Sequence, residues 1–239
     1  LRLDYARLLG EVARHAGDAK GSRERLDEAI PLAEELGERA LLGRLLTTQA
    51  KNLQVLTDYA GSLALCARGE AVSLEVGDLA NASRVVVTRA RVTYFQGDGA
   101  AARTAADRAR ELAVESGDGA TIGLADAFLG YLVVAGGGQD LQAGIGHLEA
   151  SLARLREAGD IPGLNSSYNL MGNAQTQLGA YAAAYATFEA ARTLCEEAGL
   201  AQDRCVALVN LAGVAVELGN QQAGYDHAAA AVELADKLG

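Results

Sequence analysis

The 239-residue sequence has no tryptophan, two prolines, one methionine and three cysteines. So few prolines leave long stretches in which nothing interrupts a helix. Cys66, Cys195 and Cys205 are an odd set without metal-like spacing, which gives no sign of a disulfide framework or of a zinc site. Buried thiols in a reducing cytoplasm are the simplest expectation. No apolar run reaches the ~20 residues of a membrane span, and no basic-then-apolar leader is visible. Positive charge is also scarce. With 21 Lys and Arg against 31 Asp and Glu, the net charge of -10 argues against non-specific binding to nucleic acid or to an anionic membrane.

What is present is small and apolar. Half of the residues are apolar but only 5% are aromatic. The abundance of alanine favours helices and lets their backbones approach closely. The 28 glycines then act as punctuation.

Three series of small residues share one period. Gly10, Ala50, Ala90, Gly130, Gly172 and Ala212 step by 40, 40, 40, 42 and 40 residues. Gly17, Thr57, Gly97, Gly137, Gly179 and Gly219 follow seven residues later, with the same steps. Gly37, Gly77, Gly117, Gly159, Gly199 and Gly239 end the units. The spacing predicts one repeat domain over 1–239, with units at approximately 1–38, 39–78, 79–118, 119–160, 161–199 and 200–239.

Each unit reads as two helices. In the fifth, an amphipathic segment over 165–178 ends at Gly179, and a second helix over 180–198 carries Ala184, Phe188 and Ala191 on one stripe. The pairs Gly17-Asp18, Gly77-Asp78, Gly97-Asp98, Gly117-Asp118 and Gly159-Asp160 place a helix-ending glycine before an N-cap aspartate. The two extra residues of the fourth unit fall near Gly136-Gly137-Gly138-Gln139-Asp140. That stretch lacks the Lys-Ser/Thr of a phosphate loop and reads as a longer turn.

The sequence Tyr168-Asn169-Leu170-Met171-Gly172, followed by Gly179-Ala180-Tyr181, Ala184, Phe188 and Ala191, resembles the tetratricopeptide repeat pattern. The third unit matches through Ala90, Gly97, Ala102, Ala106 and Ala109, and the first through Leu9-Gly10, Gly17, Leu26 and Ala29. The second departs most, with Thr57, Ser62 and Gly69 at the pattern's small positions. The resemblance implies an all-α, right-handed superhelical α-solenoid of about six helix-turn-helix repeats, with the first helix of each unit lining a concave groove. Units of forty residues, longer than the usual ~34, resemble those in the sensor arrays of large bacterial signalling and transcriptional regulators, and those of kinesin light chains and peptide-pheromone receptors.

Counting from the aligned small residue, the groove positions include Arg7, Arg14, Arg44, Lys51, Arg84, Arg91 and Tyr94, then Tyr131, Asn169, Asn173 and Asn210. A basic inner stripe in an acidic chain predicts a groove for an acidic peptide or partner protein, whose backbone the asparagines would bond. An alternative is a small-molecule effector site built on Tyr94, Phe95 and Tyr131. His15, His147 and His227 lie in different units without a carboxylate or thiol at catalytic or metal spacing, so neither enzyme activity nor a cofactor is expected. His147 aligns with Phe188, a core position. The final Ala-rich stripe lacks a polar cap, so the sequence reads as part of a longer chain, or as one that forms a homo-oligomer through its last repeat.

Overall fold

The computed structural model describes residues 18–136 and 141–238, and these form eleven helices and no strand. They are α1 (Ala19–Glu35), α2 (Arg39–Val55), α3 (Tyr59–Glu75), α4 (Leu79–Phe95), α5 (Gly99–Ser116), α6 (Gly119–Ala135), α7 (Leu141–Ala158), α8 (Ile161–Gln177), α9 (Tyr181–Glu197), α10 (Ala201–Glu217) and α11 (Gln221–Leu238). The even-numbered helices are the first helices of their repeats, and the odd-numbered ones are the second. Gly10, Gly17, Gly137 and Gly239 lie outside the described residues, but the rest of the forty-residue period is realised as all-α helical hairpins.

The fused stop and start signals work as their chemistry predicts. At the end of α1 the Glu38 amide donates to the Ala33 carbonyl and the Gly37 amide to that of Glu34, which satisfies carbonyls that have no partner within the helix. Aspartates then cap the next helices. Asp78 accepts from the Asn81 amide at 3.0 Å, Asp98 from Ala101 at 2.9 Å and Asp160 from Gly163 at 3.0 Å. Gly97 supplies the required left-handed backbone at φ +87°.

Thr57 takes the same role at φ +61°, the one positive φ held by a residue other than glycine among the described residues. A β-branched side chain is strained there. Thr57→Gly should raise the urea midpoint, at a net gain of roughly 0.5–1 kcal/mol. A lowered midpoint would show that the threonine side chain contributes more than its backbone costs.

One register repeats along the second helices. Ser22, Leu26, Ala29 and Ala33 of α1 are buried, and so are Ser62, Cys66, Gly69 and Ser73 of α3 and Ala102, Ala106, Ala109 and Ala113 of α5. The register continues as Gly144, Leu148, Ser151 and Leu155 of α7 and as Ala184, Phe188, Ala191 and Cys195 of α9. The small residues admit the neighbouring helices, and Leu26, Leu148, Leu155 and Phe188 fill the space where a larger side chain fits. Here the structure corrects the alignment of His147. Leu148, fully buried, is the counterpart of Phe188, and His147 stands one residue off the stripe. The two extra residues precede α7, so Leu148 stands 18 residues after Gly130 where Phe188 stands 16 after Gly172, and His147 falls one residue short of the full shift.

The chain forms two compact units, Leu1–Ala125 and Asp126–Gly239, with the division inside α6. In the first, α1 packs on α2, α2 on α3, α3 on α4 and α4 on α5, and the first helices α2 and α4 also touch. Its largest cluster joins Leu26, Ile30, Leu42, Leu45, Leu46 and Val72. In the second, α7 packs on α8, α8 on α9, α9 on α10 and α10 on α11. One cluster there holds Ala127, Val134, Leu148, Met171 and Ala174, and another Ala184, Phe188, Leu211 and Val214.

Candidate functional site

In the first unit, the face shared by α2 and α4 gathers Arg44, Lys51, Arg84, Arg91 and Tyr94. Arg44 and Lys51 are seven residues apart on α2, and Arg84 and Arg91 hold the same positions on α4, so two turns of each helix present a basic pair. Arg44 and Arg84 do more than line a surface. Nε of Arg44 reaches Asp78, the N-cap of α4, at 3.4 Å. One repeat later, Arg84 donates from Nε to the Thr121 hydroxyl at 3.1 Å and lies 3.8 Å from Asp118. Hydrogen bonds from Thr121, helped by the charge of Arg84, hold the Asp118 carboxyl below the usual carboxylate range. Each arginine thus ties its helix to the start of the next first helix while part of its guanidinium stays exposed.

Lys51 is exposed and Arg91 half-buried, and withdrawal from water lowers the pKa of Arg91 from its ordinary value. At the end of α4, Tyr94 and Phe95 have ring centroids 6.0 Å apart, and Phe95 stacks on Tyr59 of α3 at 6.5 Å and 14°. Arg7 and Arg14 lie outside the described residues.

Other basic residues of this unit are engaged with the acids of the second helices. Arg39 pairs with Glu75 and Arg68 with Glu34, while Arg89 reaches Glu70 at 2.5 Å. Buried polar groups on the first helices bond side chains of the second helices. Asn52 donates to the Ser22 hydroxyl at 2.8 Å, Gln49 to Asp27 at 2.6 Å, and Asn81 to the Ser73 hydroxyl at 2.8 Å. These are packing pairs that meet the hydrogen-bonding requirement of a tight helical stack.

The second unit arranges its candidates differently. Asn210 donates to the Asn169 side-chain oxygen at 3.2 Å, and Asn169 donates to the Asn165 carbonyl at 3.1 Å. Asn165 in turn accepts from the Cys195 thiol at 3.3 Å. Asn169 and Asn210 therefore join neighbouring first helices, while Asn173 is exposed. Tyr131 is half-buried and stacks on Phe128 at 6.4 Å.

Asp126 is a buried acid that the sequence reasoning missed, at the position held by Leu46, Val86 and Leu208 in other repeats. Nδ1 of His147 lies 3.6 Å from it and Nε of Arg154 3.8 Å, so the carboxylate buried between α6 and α7 has two basic neighbours. An aspartate interrupting that apolar register was the available signal. His227 meets the Tyr185 hydroxyl at 2.8 Å.

Among the described residues no group of three His, Cys, Asp or Glu side chains could hold a metal ion, and no helix is long and apolar enough to cross a membrane. Burial pushes the Cys66 and Cys195 thiols up to about 11. Both should resist alkylation in the folded protein near pH 8 and react once it is unfolded. Rapid labelling of Cys66 without denaturant would contradict that packing.

No family model matches the sequence, and neither does any curated protein. Solved structures do match. The Rap protein complexed with Competence and Sporulation Factor superposes with a TM-score of 0.76 at 14% identity, over 100% of this chain and 65% of that one. A signal transduction ATPase with numerous domains and a tetratricopeptide repeat sensor, from Pyrococcus horikoshii, gives 0.61 at 16%, over 98% of this chain and 35% of that one.

The fold is that of a tetratricopeptide-type repeat protein.

The tetratricopeptide-like repeats of a kinesin light chain from Podosopora anserina give 0.57 at 14%, over 81% of this chain and 94% of that one. This tetratricopeptide-type chain spans about a third of the Pyrococcus ATPase it matches. At these identities the likeness establishes the tetratricopeptide-type architecture alone.

Proposed function

We propose that the protein is a non-catalytic binding scaffold whose first helices hold an acidic peptide or an acidic segment of a partner protein. The carrying observation is the doubled basic pair of the first unit, Arg44 with Lys51 and Arg84 with Arg91, on two touching helices of a chain whose net charge is -10. Positive charge gathered on one face of an acidic molecule attracts anionic segments and repels few of its own kind. Arg44 and Arg84 offer planar donors to carboxylates, with their stems already oriented by Asp78 and Asp118. The Rap structure, of the same fold, was solved in complex with Competence and Sporulation Factor, which supports ligand binding by such an array. A place in a larger bacterial signalling or transcriptional regulator is the context we favour, since a tetratricopeptide sensor of this fold occurs within a multidomain ATPase.

Titration of a labelled oligoglutamate peptide tests the proposal. Affinity should fall as salt rises. Arg44→Glu with Arg84→Glu should weaken binding at least ~10-fold, and Arg44→Gln with Arg84→Gln less. Unchanged affinity in the charge-reversed protein would remove the basic-face mechanism.

A further inference from the structure

The ends of α2 and α4 carry exposed apolar side chains that the fold does not require. Val55 is 70% exposed and Phe95 is 56% exposed. They are equivalent positions one repeat apart, and the later repeats place Ala135, Gln177 and Glu217 there. Gln177 and Glu217 are exposed, so this position faces outward and works equally well with polar residues. Tyr59 begins α3, four residues after Val55, and stacks on Phe95 across the repeat boundary. Tyr59 and Phe95 therefore form one surface cluster within the first unit, and Val55 is exposed at the end of α2, the helix that touches α4.

The cluster adjoins the basic face in a fixed order. Lys51 precedes Val55 by four residues on α2, and Arg91 precedes Phe95 by four on α4. Positions four apart on a helix lie on one face, separated by about 6 Å along the axis. Two cations thus stand one turn away from two exposed apolar side chains, on touching helices. An extended peptide places side chains i and i+2 on the same side at about 6.6 Å. The spacing matches an acidic residue and a bulky apolar residue separated by one position. Asp58 and Asp98 lie on the turn side of the cluster, where they cap α3 and α5, so a peptide carboxylate is favoured on the Lys51 and Arg91 side.

We infer that the stacked rings of Tyr59 and Phe95, beside the exposed end of α2 at Val55, anchor a bulky apolar side chain of an extended acidic peptide whose carboxylate, two residues away, meets Lys51 and Arg91. The inference rests on the peptide-binding proposal above and adds a sequence preference to it: acidic, any residue, then aromatic or large aliphatic. Apolar anchors in such sites carry much of the affinity, while the charges set register and approach.

Fluorescence anisotropy with two labelled peptides decides it, one of two Glu-Ser-Phe-Ser blocks and one of two Glu-Ser-Ser-Ser blocks. The first should bind at least ~5-fold more tightly. Phe95→Ser should abolish that advantage, so that the two peptides bind alike. Phe95 is exposed, and an unchanged far-ultraviolet spectrum would confirm an intact fold. Lys51→Glu with Arg91→Glu should weaken both peptides, and Tyr225→Ser, at an exposed tyrosine of the second unit, should affect neither. Equal binding of the two peptides, or an advantage that survives Phe95→Ser, would overturn the anchor and leave the basic-face proposal standing. If neither peptide binds, both fall.

Discussion

Gly130→Leu is expected to destabilise the second unit by about 3 kcal/mol or more, lowering its melting midpoint by roughly 6–12 °C. A Cβ at Gly130 would lie 2.6 Å from the carbonyl oxygen of Gly144, 2.9 Å from the His147 Cβ and 3.0 Å from the Leu148 Cγ. The nearest obstacle is backbone, which a rotamer change cannot move aside. The approach is mutual, since a Cβ at Gly144 would lie 2.9 Å from the Gly130 carbonyl and 2.8 Å from a Val134 methyl. The helices α6 and α7 therefore cross backbone to backbone, and any side chain at Gly130 forces them apart. Differential scanning calorimetry would check this, and an unchanged midpoint would show that the crossing is looser than the geometry states.

The second large effect is a compensating pair. A Cβ at Gly172 would fall 2.4 Å from the ring of Phe188, which is itself 1% exposed. Phe188→Ala should cost ~3–5 kcal/mol by leaving a cavity, and Gly172→Leu ~1–3 kcal/mol by overfilling the same space. In the double variant the leucine occupies the room the ring vacates. Its loss should be smaller than the sum of the single losses by at least ~1 kcal/mol. Strict additivity would mean that the two residues do not share one space.

These two glycines were visible in the sequence because close helix crossings tolerate few residue types, and the period brought six such positions into line. The Gly-Asp pairs were equally legible, since a left-handed glycine followed by a capping aspartate is a local signal. His147 was placed one residue away from its true register. The two extra residues near Gly136 to Asp140 shift the helix that follows by two positions, and aligning His147 with Phe188 took up only one of them. Pairing between repeats was harder to see. Arg44 to Asp78 and Arg84 to Asp118 both span 34 residues, a spacing that gains meaning only once each arginine is seen to reach the residues that start the next first helix. The contact of Asn169 with Asn210 belongs to the same class. Asn169 and Asn210 bond each other, whereas Arg44 and Arg84 keep exposed guanidinium surface beyond their aspartates, so the peptide-binding proposal rests on the first unit.

Hydroxyl-radical footprinting, with and without a saturating acidic peptide, tests that placement directly. Tyr94 and Phe95, beside Lys51 and Arg91, should be protected by the peptide, while Tyr185 and Tyr225 of the second helices keep their reactivity. Protection at Tyr225 with none at Tyr94 or Phe95 would put the ligand on the wrong helices and contradict the account.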